Sequence, residues 1–173
     1  MLHLQSRLAL IFLFCCQLSV LVFPGLAVSG NQVESLQTGD SNTVIINQGW
    51  EQGFAADLGP DEDINYSNVV QEGSGNNLAI SQFGIGNQAV LRQGGTSQDA
   101  IVEQIGWGNM VDLQQVGYAN FSNIYQNGSN NTALVDQLGD FNEAIVQQFG
   151  NGNRIRVTQI GSSNSAVITQ SGF

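Results

Sequence analysis

The sequence predicts an all-β chain, a β-solenoid of strand-turn-strand rungs of 22 residues, each with two 11-residue arms. Three observations predict it. First, one phrase recurs without insertion or loss from Asn65 to Gly172: an amide residue, Gln six places later, and Gly two places after that. An unbroken period of this kind is the mark of a stacked repeat, because every unit must fill the same space. Second, with the amide numbered zero, positions zero, two, four and six share one parity, and only a strand gathers that parity on one face. A helix of period 3.6 would scatter them. Third, Gly closes every unit, where a chain that reverses sharply needs positive backbone angles.

The phrase is carried by three columns. The amide column is Asn65, Asn76, Asn87, Gln98, Asn109, Asn120, Asn131, Asn142, Asn153 and Asn164. The Gln column is Gln71, Gln82, Gln93, Gln104, Gln115, Gln126, Gln137, Gln148, Gln159 and Gln170. The turn column is Gly73, Gly84, Gly95, Gly106, Gly117, Gly128, Gly139, Gly150, Gly161 and Gly172. Between amide and Gln stand small or branched residues, as in Ala89 and Leu91 or Ala133 and Val135. The opposite parity is mixed, with Arg92, Glu103, Asp112, Tyr125, Asp136, Arg154 and Arg156, and suits a solvated face. A unit is then a strand of about seven residues and a four-residue bend.

Taken in order, residues 1–29 form a secretory signal: Arg7, an apolar run from Leu8 to Phe23, then small residues around Gly25, Ala27 and Ser29, with cleavage after Ala27 or Ser29. That segment carries His3, Cys15 and Cys16, so the mature chain has no His, Cys or Lys and is held by packing and backbone pairing without disulfides. Residues 30–49 hold N-terminal repeats, Asn31 with Gln37 and Gly39, then Asn42 with Gln48. Residues 50–63 break the phase: Trp50 stands where Gly is due, and Phe54, Ala56, Leu58 and Pro60 fit a degenerate unit. Pro60 with Asp61, Glu62 and Asp63 forms a gatekeeper loop that discourages premature pairing. A calcium loop is the alternative, although three adjacent acids lack the alternate ligand spacing of oxygen cages. Residues 64–173 hold the ten regular repeats.

Composition narrows the function. The chain has 173 residues, only 10% of them charged, 21 Gly and a formal net charge of -10. Nucleic acid is disfavoured, since phosphate binding needs clustered Lys and Arg. No spacing in the sequence suggests a catalytic site, a cofactor or a metal site. Enzymes do occur on parallel β-helices, and Asp112, Asp136 and Glu103 supply carboxylates, but the usual His and Lys bases are missing from the mature chain. The aromatic residues Phe83, Trp107, Tyr118, Phe141 and Phe149 fall at turn positions and suit corner packing.

An inward Asn or Gln without a partner costs about 1–3 kcal/mol. In an aligned column each amide donates to one neighbour and accepts from the other. That satisfaction needs a rung on both sides, so the last strand, with Val167, Ile168 and Gln170, is expected to offer an open edge to another chain.

At these spacings the sequence resembles the curlin family, the subunits of bacterial curli, which are extracellular functional amyloid fibres. Asn87-Ala89-Leu91-Gln93-Gly95, Asn131-Ala133-Val135-Gln137-Gly139 and Asn164-Ala166-Ile168-Gln170-Gly172 match the family phrase most fully. Gln98 departs from Asn, and Val111, Ser122 and Ile155 depart from Ala. The resemblance implies a β-solenoid that stacks into cross-β fibres at the bacterial cell surface and a role in biofilm matrix and adhesion. It also implies export through an outer-membrane secretion pore with periplasmic chaperones. The partners implied are the chain itself and a homologous curlin subunit, with no nucleic acid and no small-molecule substrate. The segment Ala89 to Gly95 is more similar to the minor subunit, which nucleates polymerisation of the major one. The alternatives are a major fibre subunit or a monomeric solenoid adhesin.

Overall fold

A computed structural model describes residues 19–24, 32–49 and 65–172. Within them lie thirteen strands: β1 (Ser19–Pro24), β2 (Gln32–Thr38), β3 (Thr43–Gly49), β4 (Tyr66–Ser74), β5 (Asn77–Ile85), β6 (Gln88–Thr96), β7 (Asp99–Trp107), β8 (Met110–Tyr118), β9 (Phe121–Ser129), β10 (Thr132–Asp140), β11 (Glu143–Asn151), β12 (Arg154–Ser162) and β13 (Ser165–Ser171). They form two parallel sheets. One has the order β1-β3-β5-β7-β9-β11-β13, the other β12-β10-β8-β6-β4-β2. Consecutive strands therefore alternate between sheets, and each strand pairs with the one two places on, which is the solenoid the repeat demands.

From β4 onward the register is the one the period dictates. Ala89 lies beside Val111, Gln93 beside Gln115 and Gly95 beside Gly117. Like residue thus sits on like, 22 places apart. The shared parity points inward. Leu91, Leu113, Ile124, Val135 and Val146 are fully buried between the sheets, together with the small residues Ala89, Ala100, Ala133 and Ala144. On β6, β7, β10 and β11 a small Ala alternates with a branched residue, whereas β5, β8 and β12 carry two large residues inward.

Two local features differ from the expectation. The strands from β4 to β12 run nine residues instead of seven, because the ladder continues through the Gly column. The bend is correspondingly shorter. It is turned at position ten, where Gly75, Gly86, Gly108 and Gly152 share left-handed angles with Ser97, Ala119, Asn130, Phe141 and Ser163. The Gly column has a second constraint besides its angle. At Gly139, with φ +119, an added Cβ would fall inside the carbonyl oxygen of Gly161 in the next rung. Gly is required there by both conformation and close stacking.

The irregular segment lies outside the described residues from 50 to 64, including the acidic triplet and Pro60. Gln37 pairs with Gln71 and Gln48 with Gln82, so β2 lies directly on β4 and β3 directly on β5. The degenerate unit expected at Phe54, Ala56, Leu58 and Pro60 lies outside the described residues. Of the segment expected to be a leader, only β1 is described. It pairs with β3, Ser19 beside Thr43 and Pro24 beside Gln48.

The two roles of Gly separate experimentally. Gly139→Ala is expected to destabilise the fold by about 3 kcal/mol or more, since both angle and space forbid it. Gly152→Ala, where φ is +67 and nothing lies within 4 Å of the added Cβ, should cost only about 1 kcal/mol. Denaturant unfolding of the two variants measures the difference.

Candidate assembly interface

The Gln residues stack as interior ladders, from Gln37 to Gln159 in one sheet and from Gln48 to Gln148 in the other, while Gln170 Oε1 on β13 has no partner. In the sheet that contains β2, the Nε2 of each Gln donates to the Oε1 of the Gln one rung on: Gln37 to Gln71 (2.6 Å), Gln71 to Gln93 (2.7 Å), Gln93 to Gln115 (2.9 Å), Gln115 to Gln137 (2.9 Å) and Gln137 to Gln159 (2.8 Å). In the other sheet the same chain runs through Gln48, Gln82, Gln104, Gln126 and Gln148. These side chains are buried, most of them completely. Every link has the same sense, with donors facing the C-terminal end of the stack.

The second N–H of the column Gln residues from Gln48 to Gln159 is used in a way the sequence did not suggest. It crosses the interior to a backbone carbonyl of the preceding strand: Gln104 to Gln88 O at 2.9 Å, Gln126 to Met110 O at 3.0 Å, Gln148 to Thr132 O at 2.9 Å. Gln82, Gln93, Gln104, Gln115, Gln126 and Gln137 therefore each tie two rungs and two sheets at once. Where Ser replaces Ala at position two, its hydroxyl joins this network. Ser67 donates to Gln82 Oε1 at 2.8 Å and Ser122 to Gln137 Oε1 at 2.9 Å. The departure at Ser122 is thus chemically matched to its site.

The amide column braces the corners. Asn109 Oδ1 accepts from the backbone N–H of Asn131 (3.1 Å) and from its Nδ2 (3.1 Å). Asn109 Nδ2 reaches Ile105 O and Gly128 O, at 3.1 and 3.0 Å. These are carbonyls near the ends of β7 and, one rung on, of β9. Gln98 makes the backbone connections, accepting from the Asn120 N–H at 3.1 Å and donating to Gly94 O and Gly117 O, but not the side-chain-to-side-chain link. The extra methylene thus keeps the bonds to the backbone.

The outward parity separates by sheet. Arg92, Arg154 and Arg156 all lie on strands β6 and β12 of the six-stranded sheet, and Arg92 meets Asp112 at 3.7 Å with both side chains about half exposed. Such a pair contributes about 1 kcal/mol at most. Glu103 lies on the opposite sheet from Asp112 and Asp136, so the three carboxylates are not brought together. Of the corner aromatics, Tyr118 and Phe141 meet edge-on with ring centroids 5.2 Å apart, and Tyr125 and Phe149 lie 5.6 Å apart. Trp107, Tyr118, Phe141 and Phe149 stay substantially exposed, so corner packing is partial.

The ladders end in unanswered groups. Among the described residues the buried side-chain atoms without a partner are Gln37 Oε1 and Ser35 Oγ on β2 and Gln170 Oε1 on β13, all on the first and last rungs. The backbone is polarised in the same way. Position-one N–H groups donate toward the C-terminal neighbour, as Thr43 does to Asn76 O at 2.8 Å and Glu143 to Asn164 O at 2.7 Å. Strand alternation then turns the N–H groups of positions two, four and six the other way. One end of the stack therefore offers odd positions of β12 and β13, and the other offers even positions of β2. A copy stacked in the same direction continues both backbone and Gln ladders, whereas two like ends would set Gln donors against donors.

The Curlin associated repeat family model matches residues 106–139, 117–150, 128–161 and 150–173, with the first three spans stepping by the same eleven residues. The spans lie within residues 106–173, and over that part the chain is similar to the curlin repeat. No curated protein and no solved structure matches the chain.

A ladder residue and its surface neighbour should respond very differently. Gln115→Ala opens a hole and breaks links to Gln93, Gln137 and Asp99 O, which predicts a loss of about 2–4 kcal/mol. Gln114→Ala, on the exposed face of the same strand, should stay within about 0.5 kcal/mol. Equal losses in denaturant unfolding would contradict the inward placement of the column.

Proposed function

We propose that this chain is an exported structural subunit of curli-type extracellular fibres and, within such a fibre, the minor subunit that nucleates polymerisation of the major one. The observation that carries the fibre reading is the pair of incomplete ends. Gln37 Oε1 is buried without a partner at one end of the stack, and at the other Gln159 Nε2 bonds to Glu143 O at 2.8 Å and has a second N–H directed along the ladder. A second copy placed with its β2 over β12 brings that donor to that acceptor. Each junction then removes an unsatisfied buried carbonyl worth about 1–3 kcal/mol and covers apolar surface besides. Ala166 and Ile168 on β13 and Val33 on β2 pack on the core without being buried, so they gain the most from such a neighbour.

The nucleating role rests on the likeness of Ala89 to Gly95 to the minor subunit and on apolar outward residues such as Val90, Ile101, Leu134 and Ile145. Export by the leader at residues 1–29, passage through an outer-membrane pore with periplasmic chaperones, and a part in biofilm matrix and adhesion belong to the same proposal. A structural role also fits a solenoid whose interior is sealed along its length. The alternatives are the major fibre subunit and a monomeric solenoid adhesin.

Three outcomes are expected. The purified mature chain forms thioflavin-positive fibres after a lag, whereas an adhesin would stay dispersed. Gln170→Ala or Asn164→Ala slows seeded growth much more than Ser165→Ala or Thr169→Ala, the latter pair being exposed. In a mixture, substoichiometric amounts shorten the lag of a homologous major subunit; an unchanged lag would favour the major-subunit alternative.

A further inference from the structure

We infer that β1 is a removable stopper: Ser19–Pro24 occupies, within the same chain, the place on β3 that β13 of a second copy takes in the fibre. This rests on the fibre reading and adds a control on when assembly begins.

The register carries the inference. β1 lies parallel to β3, with Val20 beside Val44, Val22 beside Ile46 and Pro24 beside Gln48. Those three residues of β3 hold positions two, four and six of the phrase. In the neighbouring rung they face Leu78, Ile80 and Gln82. A second copy's β13, docked in the same register, would face them with Ala166, Ile168 and Gln170. β1 therefore supplies the two branched positions of a repeat at the correct spacing but has Pro where the ladder needs Gln. SVLVFP contains no amide side chain at all, so β1 extends the backbone pairing and cannot extend the Gln ladder. Pro24 also lacks the N–H that a ladder residue donates.

The consequence is an asymmetric molecule. Among the described residues, β12 and β13 are open edges at one end; at the other, β2 is open while β3 is covered. A chain that retains β1 can dock through its C-terminal end onto a growing tip, but it then presents a half-covered surface and blocks the next addition. The cover is weaker than the strand it imitates, because SVLVFP has no amide residue with which to extend the Gln ladder. Removal of the leader segment uncovers the even-position N–H groups of Val44, Ile46 and Gln48, and those groups make the edge a template.

The test compares the full chain, a chain starting at Gly30, and the full chain carrying Leu21→Pro and Val22→Pro, which disables β1 as a strand without removing it. Seeds are made from the chain starting at Gly30. Seeded elongation of the full chain is expected to be about tenfold slower or worse, and the double-Pro chain to recover most of that rate. Small amounts of the full chain added to the shorter one should slow elongation, as a terminator does. Hydrogen exchange read in unassembled protein should find the amides of Val44, Ile46 and Gln48 protected in the full chain and fast in the other two. Equal elongation of the full and shorter chains overturns the stopper, as does a double-Pro chain that remains blocked. Failure of the chain starting at Gly30 to form any fibre defeats the fibre reading and the docking role with it. In that case exchange still decides the cover by itself, because equal protection in all three proteins would mean that β1 does not cover β3.

Discussion

The structure depends on one constraint: each inward amide is satisfied only by the rungs directly above and below it. Burying a column of Gln and Asn would be ruinous in an isolated domain, since each unmatched group costs about 1–3 kcal/mol. Here the cost is removed by translation. Gln93 gives to Gln115 what Gln71 gives to Gln93, and the pattern holds only while the repeat keeps its length. A one-residue insertion within a unit would turn its inward face to water. The strictness of the eleven-residue period is thus a direct result of interior polarity.

The same constraint accounts for the turns. Close stacking of rungs leaves no room for a side chain at the Gly column, where the next rung's carbonyl lies against the α-carbon. The bend itself is more tolerant. Ser, Ala, Asn and even Phe141 adopt left-handed angles at position ten, because the Asn braces on either side hold the corner and offset the strain of about 1–2 kcal/mol per residue. Sequence variation is accordingly concentrated at position ten and on the outward parity.

Directionality follows from the chemistry of the amide. A ladder of carbonyl-to-carbonyl contacts would be impossible, and a ladder of amides must choose a sense. With all Gln donors pointing one way, the molecule has two different ends, and a polymer built from it inherits a polarity. Its two sheets differ as well, with the arginines on one outer surface and Asp99, Glu103 and Glu143 among the outward residues of the other.

The sequence by itself determined the solenoid, the inward parity, the rung-to-rung register and the membership of the Gln and amide columns. It could do so because a period of two within a period of eleven admits no other regular structure. Gln115 and Leu113 were assignable from spacing alone. The tertiary structure decided what spacing does not encode. It placed Gln104 Nε2 on Gln88 O across the interior, set Asn109 on carbonyls near the ends of β7 and β9, and lengthened the strands through the Gly column. It also laid β2 on β4 without an intervening rung and β1 on β3. These are relations between segments that meet only once the two sheets face each other. They are governed by which backbone groups come within hydrogen-bonding reach, a property of the folded arrangement that no local pattern carries.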